Sequence, residues 1–141
     1  MEPPLHLSDL TTRVASMWGS RAGTRIKARV AEICQAAERE KLLIQRAGFE
    51  LHPDERCTVR SRAGMRIPAE RIAPEEYREA VLCVLRTGHG FNRSELINEV
   101  RTVLGFSQTR GQLEAAIGGA IDQLLTGGVV GEGSAGITLR R

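Results

Sequence analysis

Arginine dominates the chemistry available to this chain. Of the 20 basic residues in 141, all but Lys27 and Lys41 are arginine. The planar guanidinium donates two parallel hydrogen bonds and so matches a phosphate better than an ammonium does. Arg21, Arg25 and Arg29 recur at a spacing of one helical turn. On a helix over 21–37, at about 100° per residue, they form one stripe beside the apolar arc of Ile26, Val30, Ile33, Cys34 and Ala37. Such a stripe, with Thr24 and Lys27 adding phosphate contacts, is what a helix-turn-helix presents to a nucleic acid. The plainer alternative is a solvated face whose charges pair locally with Glu32 and Glu38, the arginine excess reflecting a GC-rich genome.

A second candidate surface lies near the other end of the chain. A helix opened by Ser107 or Thr109 exposes Gln112, Ala115, Ala116, Gly119, Asp122 and Gln123. These residues are small and uncharged or acidic, so they suit close approach of another helix better than a phosphate. Thr109, Arg110 and Arg140, with the neighbouring Arg141, are its phosphate donors, enough for backbone contacts and little base readout.

Catalytic constellations are missing. His6, His52 and His89 are scattered, and no phosphate loop, nucleophile elbow or H-E-x-x-H pattern occurs. Glu75-Glu76 is explained by the positive end of a helix dipole. Gly127-Gly128 and Gly131-x-Gly133 precede no helix and so make no phosphate cradle. Cys34, Cys57 and Cys83 are odd in number and widely spaced, which argues against a disulfide framework or a zinc site and fits a reducing cytoplasm. The expectation is a non-enzyme with no cofactor and no metal. Met1-Glu2-Pro3-Pro4 does not read as a signal peptide, and no apolar run approaches a membrane span.

The elements that would position these residues follow from apolar periodicity. Ala73-Pro74-Glu75-Glu76 starts a helix carrying Tyr77, Ala80, Val81, Val84 and Leu85, and Gly88-His89-Gly90 stops it. Asn92 or Ser94 caps a helix over 95–104 with Leu96, Ile97, Val100 and Val103 inward, ended by Gly105. The next helix places Leu113, Ile117, Ala120, Ile121, Leu124 and Leu125 on one face. Val129–Leu139 reads as a hairpin with a glycine-rich turn. Three helices and a hairpin are the order of a winged helix-turn-helix.

The first half repeats part of this pattern. Ser8-Asp9-Leu10 matches Ser94-Glu95-Leu96, Val14 matches Val100, and Trp18-Gly19 matches Leu104-Gly105. After a one-residue slip, Ile26, Val30 and Cys34 match Leu113, Ile117 and Ile121. Leu42-Leu43 then matches Val129-Val130, with Phe49 and Leu51 closing a second hairpin. No counterpart of the helix at 74–87 precedes Leu7. Either the chain is a fragment of a larger protein or that helix comes from elsewhere. The expected fold is mainly α with small β-hairpin wings: an incomplete winged-helix-like unit over 1–52, a basic linker over 53–73 and a second unit over 74–141. Net charge is +3, and residues 1–73 hold 13 Lys/Arg against 9 Asp/Glu, so the basic character lies in the first half and linker. Arg56, Arg60, Arg62, Arg66 and Arg71 could track a phosphate backbone or simply be solvated.

Arg71-Ile72-Ala73-Pro74-Glu75-Glu76, Ser94-Glu95-Leu96, Leu104-Gly105-Phe106, Gly127 and Ile137-Thr138-Leu139-Arg140 resemble a C-terminal winged-helix-like domain of unknown function. That domain ends large bacterial superfamily I helicase-like proteins, often behind a Vsr-like endonuclease domain. The resemblance covers residues 71–141 well and the first unit loosely. It implies an accessory module of a helicase or nuclease system. Two functions follow as expectations: non-catalytic nucleic-acid binding, DNA first, or protein docking and self-association through the small-residue face.

Overall fold

The computed structural model describes residues 4–46, 48–51 and 57–141, which form five α-helices and two small antiparallel sheets. The chain divides into two compact units, 1–56 and 57–141.

In the first unit, β1 (Leu5–His6) leads directly into α1 (Leu7–Met17), followed by α2 (Thr24–Arg39), β2 (Ile44–Arg46) and β3 (Phe49–Leu51). β3 is the central strand, with β1 and β2 antiparallel on either side. His6 serves as both strand end and helix cap: its Nδ1 accepts from Ser8 N at 3.2 Å. β1 is too short to carry an alternating pattern, so periodicity could not announce it.

In the second unit, a 3-10 turn (Ala69–Arg71) precedes α3 (Pro74–Leu85), α4 (Arg93–Val103), α5 (Gly111–Thr126), β4 (Val130–Gly133) and β5 (Gly136–Leu139). Pro74 occupies the first turn of α3, where its missing N–H is no loss. Asn92 and Glu95 cap α4 reciprocally, Asn92 Oδ1 accepting from Glu95 N at 2.9 Å and Glu95 Oε2 from Asn92 N at 3.1 Å. Tyr77, Ala80, Val81, Val84 and Leu85 of α3 meet Leu96, Val100 and Leu104 and the Leu113, Ile117, Ala120, Ile121 face of α5. Val130 and Ile137 close the core from the hairpin. Val103, expected inward, is 38% exposed, because it sits at the edge of the buried arc of α4. α5 begins at Gly111, later than Ser107 or Thr109, with Arg110 at its N-cap.

The internal repeat is visible hydrogen bond by hydrogen bond. α1 and α4 have 11 residues each, and α2 and α5 have 16 each. α1 closes with Gly19 N on Ser16 O and Ser20 N on Ala15 O; α4 closes with Gly105 N on Thr102 O and Phe106 N on Arg101 O. Both glycines are left-handed, φ +64° and +84°. α2 ends with Leu42 N on Ala37 O, α5 with Val129 N on Leu124 O. The Leu5–Glu50 strand pair matches the Phe91–Ile137 bridge, and Gln45–Glu50 matches Glu132–Ile137. On this register Trp18 corresponds to Leu104, Ile33 to Ala120, Cys34 to Ile121 and Glu50 to Ile137.

The segment expected to be a linker is different. His52 to Arg56 lie outside the described residues, but 57–73 belongs to the second unit. Arg62 is buried and forms a bidentate pair with buried Glu76, Nη1–Oε1 2.7 Å and Nη2–Oε2 2.8 Å. Arg60 N also donates to Glu76 Oε1, and Arg62 N caps the end of α4 through Leu104 O at 2.9 Å. Glu76, in the first turn of α3 as expected, therefore also anchors this segment.

Where the α5 end turns left-handed at Gly128 (φ +71°), the first unit places Lys41 (φ +60°), a conformation that costs a side-chain-bearing residue about 1 kcal/mol. Lys41→Gly is expected to stabilise the first unit by about that amount, and Gly128→Lys to destabilise the second similarly. Urea melts of each variant check both.

Candidate nucleic-acid interface

α2 was expected over 21–37 and runs over Thr24–Arg39. Arg21 therefore lies in the turn before the Gly23 N-cap, not on the helical stripe. Arg25 and Arg29 remain one turn apart on α2. Arg21, Thr24, Arg25, Lys27 and Arg29 are all exposed. Lys27 sits about 160° around the axis from Arg25, so it serves a different flank. Ile33, placed in the buried arc by the wheel, is 54% exposed. The arc that α2 buries is narrower, centred on Val30 and Cys34.

The start of α2 is electrostatically unusual. A helix N-terminus leaves unpaired N–H groups and a partial positive charge, normally met by a capping oxygen and an acid in the first turn. α4 follows that rule with Asn92 and Glu95, and α3, although its Ala73 cap offers no side chain, has Glu75 and Glu76 in its first turn. α2 has Gly23 at its cap with no side-chain bond and no acid in its first turn, which instead carries Arg25 and Lys27. An external anion would complete this end. Arg29 pairs with Glu32 at 3.1 Å, both side chains well exposed. Such a pair is worth at most about 1 kcal/mol, so a phosphate can displace it.

In the second unit the sequence-selected residues are dispersed. Thr109 is half-buried and its Oγ1 donates weakly to Asn98 Oδ1 at 3.4 Å. Arg110 is exposed and shares with Arg66 the wall of a cleft of about 340 Å³ beside the start of α5. Arg140 is exposed at the end of the hairpin, its side chain lying along Gly131 of β4.

The small-residue face of α5 is only partly available. Gln112 and Ala115 are exposed and Gly119 has open space above it, but Ala116 is packed against the core. Ala115, Gly118 and Gly119 floor an open groove of about 450 Å³ against α4. Arg93 crosses one edge, donating to Asp122 at 2.7 and 3.1 Å and to Gly118 O at 3.2 Å. That guanidinium holds the Asp122 carboxyl below its usual range. Sequence reasoning missed this clamp and the Arg62–Glu76 pair, since neither involves neighbours on one helix face.

Cys34 and Cys57 are not set up as nucleophiles. Burial, reinforced by Glu76, pushes Cys57 up to about 11. Burial and the adjacent Glu50 push Cys34 up as well. His89 is exposed in the turn after α3. Among the described residues no cluster of His, Cys, Asp and Glu could hold a metal, and no helix is long and apolar enough to cross a membrane.

Comparisons with protein-family models, with curated proteins and with solved structures give no match.

Two outcomes are expected here. Glu76→Leu, which leaves Arg62 buried without its partner, should destabilise the second unit by about 3–5 kcal/mol, and adding Arg62→Met should restore much of that; urea melts of single and double variants read it. Cys57 should alkylate with iodoacetamide far more slowly than a free thiol at pH 8 and accelerate as pH approaches 11.

Proposed function

We propose that this chain is a non-catalytic nucleic-acid-binding module, acting on DNA, built from two winged-helix-type units of which the first supplies the principal contact surface. The observation that carries this reading is the uncapped, basic start of α2, with Arg21, Arg25 and Arg29 exposed around it. Thr24 sits in the first turn of that helix and Lys27 extends the positive potential to its other flank. Thr109, Arg110 and Arg140 would add backbone contacts from the second unit. The resemblance of residues 71–141 to the tail of helicase-like proteins supports association with a helicase or nuclease system in a bacterial cytoplasm. A second reading, docking of a protein helix or a second copy on Gln112, Ala115, Ala116 and Gly119, is favoured by the open space above Gly119. The packed Ala116 and the Arg93–Asp122 clamp restrict that face.

The test is fluorescence anisotropy of a labelled duplex titrated with the chain at low and moderate salt, beside the Arg21→Ala/Arg25→Ala/Arg29→Ala variant. All three side chains are exposed, so the variant should fold. The expected result is affinity that falls steeply with salt. The variant should show a shallower salt dependence, by roughly one unit of slope for each phosphate it no longer neutralises. Absence of binding at low salt, or full binding by the variant, would overturn the assignment.

A further inference from the structure

The cleft beside the start of α5 has one wall made by the chain that leads into α3, and that wall is tied down at both ends. At one end Met65 N donates to Arg62 O at 2.9 Å, closing a turn through left-handed Gly64 (φ +76°), and Arg62 is itself fixed by Glu76. At the other end the Tyr77 hydroxyl donates to Ala69 O at 2.7 Å. Residues 65–69, between these ties, line the cleft of about 340 Å³ together with Phe106, Leu113 and the residues that enter α5. That volume falls at the lower end of the range of small-ligand sites, about 300–1,000 Å³. The anchored wall means that little ordering is left for a ligand to bring about.

The lining has two kinds of chemistry. Met65, Ile67, Pro68, Phe106 and Leu113 make it apolar. Met65 is 63% exposed, more than any other large apolar side chain described in the second unit. Arg66 and Arg110 make it cationic, and both are exposed. Among the described residues neither guanidinium has an ion-pair or hydrogen-bond partner, whereas Arg62, Arg86, Arg93 and Arg101 of the same unit are all engaged. No carboxylate lines the cleft. Glu114, the acid in the first turn of α5, lines the α4–α5 groove instead. Gln108 and Gln112 complete the lining with amides, each of which can both donate and accept.

We propose that this cleft takes one unpaired nucleotide of a DNA strand, with the base against the apolar walls and the phosphate between Arg66 and Arg110. It rests on the reading above that the chain binds DNA, and gives the second unit a task of its own: holding a single-stranded segment. An anion is called for by two unpartnered guanidiniums, and their planar forks match phosphate oxygens. A flat apolar body is called for by walls that include an aromatic ring and an exposed methionine, since bases of any sequence stack on such surfaces. The amides of Gln108 and Gln112 match the mixed donors and acceptors of a base edge. A paired base offers no free face, so duplex DNA does not fill this site.

The test uses the full chain and three labelled probes followed by anisotropy: a short thymidine strand, the same strand with every base replaced by an abasic site, and a blunt duplex. The two strands carry the same phosphates, so any difference between them comes from the bases. The thymidine strand is expected to bind about fivefold or more tighter than the abasic one. The Met65→Ala/Arg66→Gln variant should lose most of that preference and keep its affinity for the blunt duplex; both side chains are exposed, so it should fold. Thymidine monophosphate should compete with the strand only weakly. Equal binding of the two strands, or a preference that the variant retains, would overturn this proposal alone while duplex binding stands. Thymidine monophosphate binding as tightly as the strand would overturn it in favour of a free nucleotide. Absence of binding to all three probes would overturn the nucleic-acid reading with it.

Discussion

Two helices and a hairpin carry more apolar surface than they can bury against one another, and the architecture of each unit is governed by how that surplus is covered. In the second unit α3 covers it, and the residues beneath α3 reach zero exposure. The cover is in turn fastened by the segment before it. Arg62 reaches from that segment to Glu76 on α3, while its own N–H caps α4 at Leu104. One buried ion pair thus ties α3, the end of α4 and the chain entering the unit. A buried pair of this kind contributes little net stability compared with an apolar replacement, but it is costly to break, so it fixes which segment packs where.

The first unit has the same helix lengths, the same left-handed turn between its helices and the same hairpin register, yet a different set of core residues. Cys34 and Glu50 stand where Ile121 and Ile137 stand in the second unit, and Trp18 and Ile33 stay in solvent. The backbone pattern has been kept while the contents of the core have changed. Exposed arginines around the uncapped start of α2 belong to this open unit, whereas the arginines of the second unit are largely engaged: Arg62 with Glu76, Arg93 with Asp122, Arg86 with Glu79 and Arg101 with Phe106 O.

Much of this was legible from residue order. Pro74, Gly105 and the apolar spacing on α3, α4 and α5 located those helices to within a few residues, because caps and periodicity act locally. The repeat was legible through Trp18-Gly19 and Leu104-Gly105, since both glycines serve the same left-handed turn. What stayed hidden depended on partners distant in sequence. Arg62 read as a linker charge because its carboxylate lies on another element. Ile33 and Val103 sit at the margins of their apolar arcs, and whether a margin is buried is decided by a neighbouring element that a helical wheel does not contain. Arg21 was counted on the helix because spacing alone does not show that Gly23 starts it. β1, at two residues, has no pattern to read, and its pairing with β3 is a tertiary event.

The central claim, that one repeated unit is closed by its own third helix and the other stands open, is tested most directly by native-state amide hydrogen exchange on the full chain. Amides of α5 between Ile117 and Ile121 should exchange only through opening of the whole second unit. Their counterparts in α2, between Val30 and Cys34, should exchange at least about tenfold faster, because the apolar cover that suppresses local opening is missing there. Equal or greater protection of α2 would contradict the account.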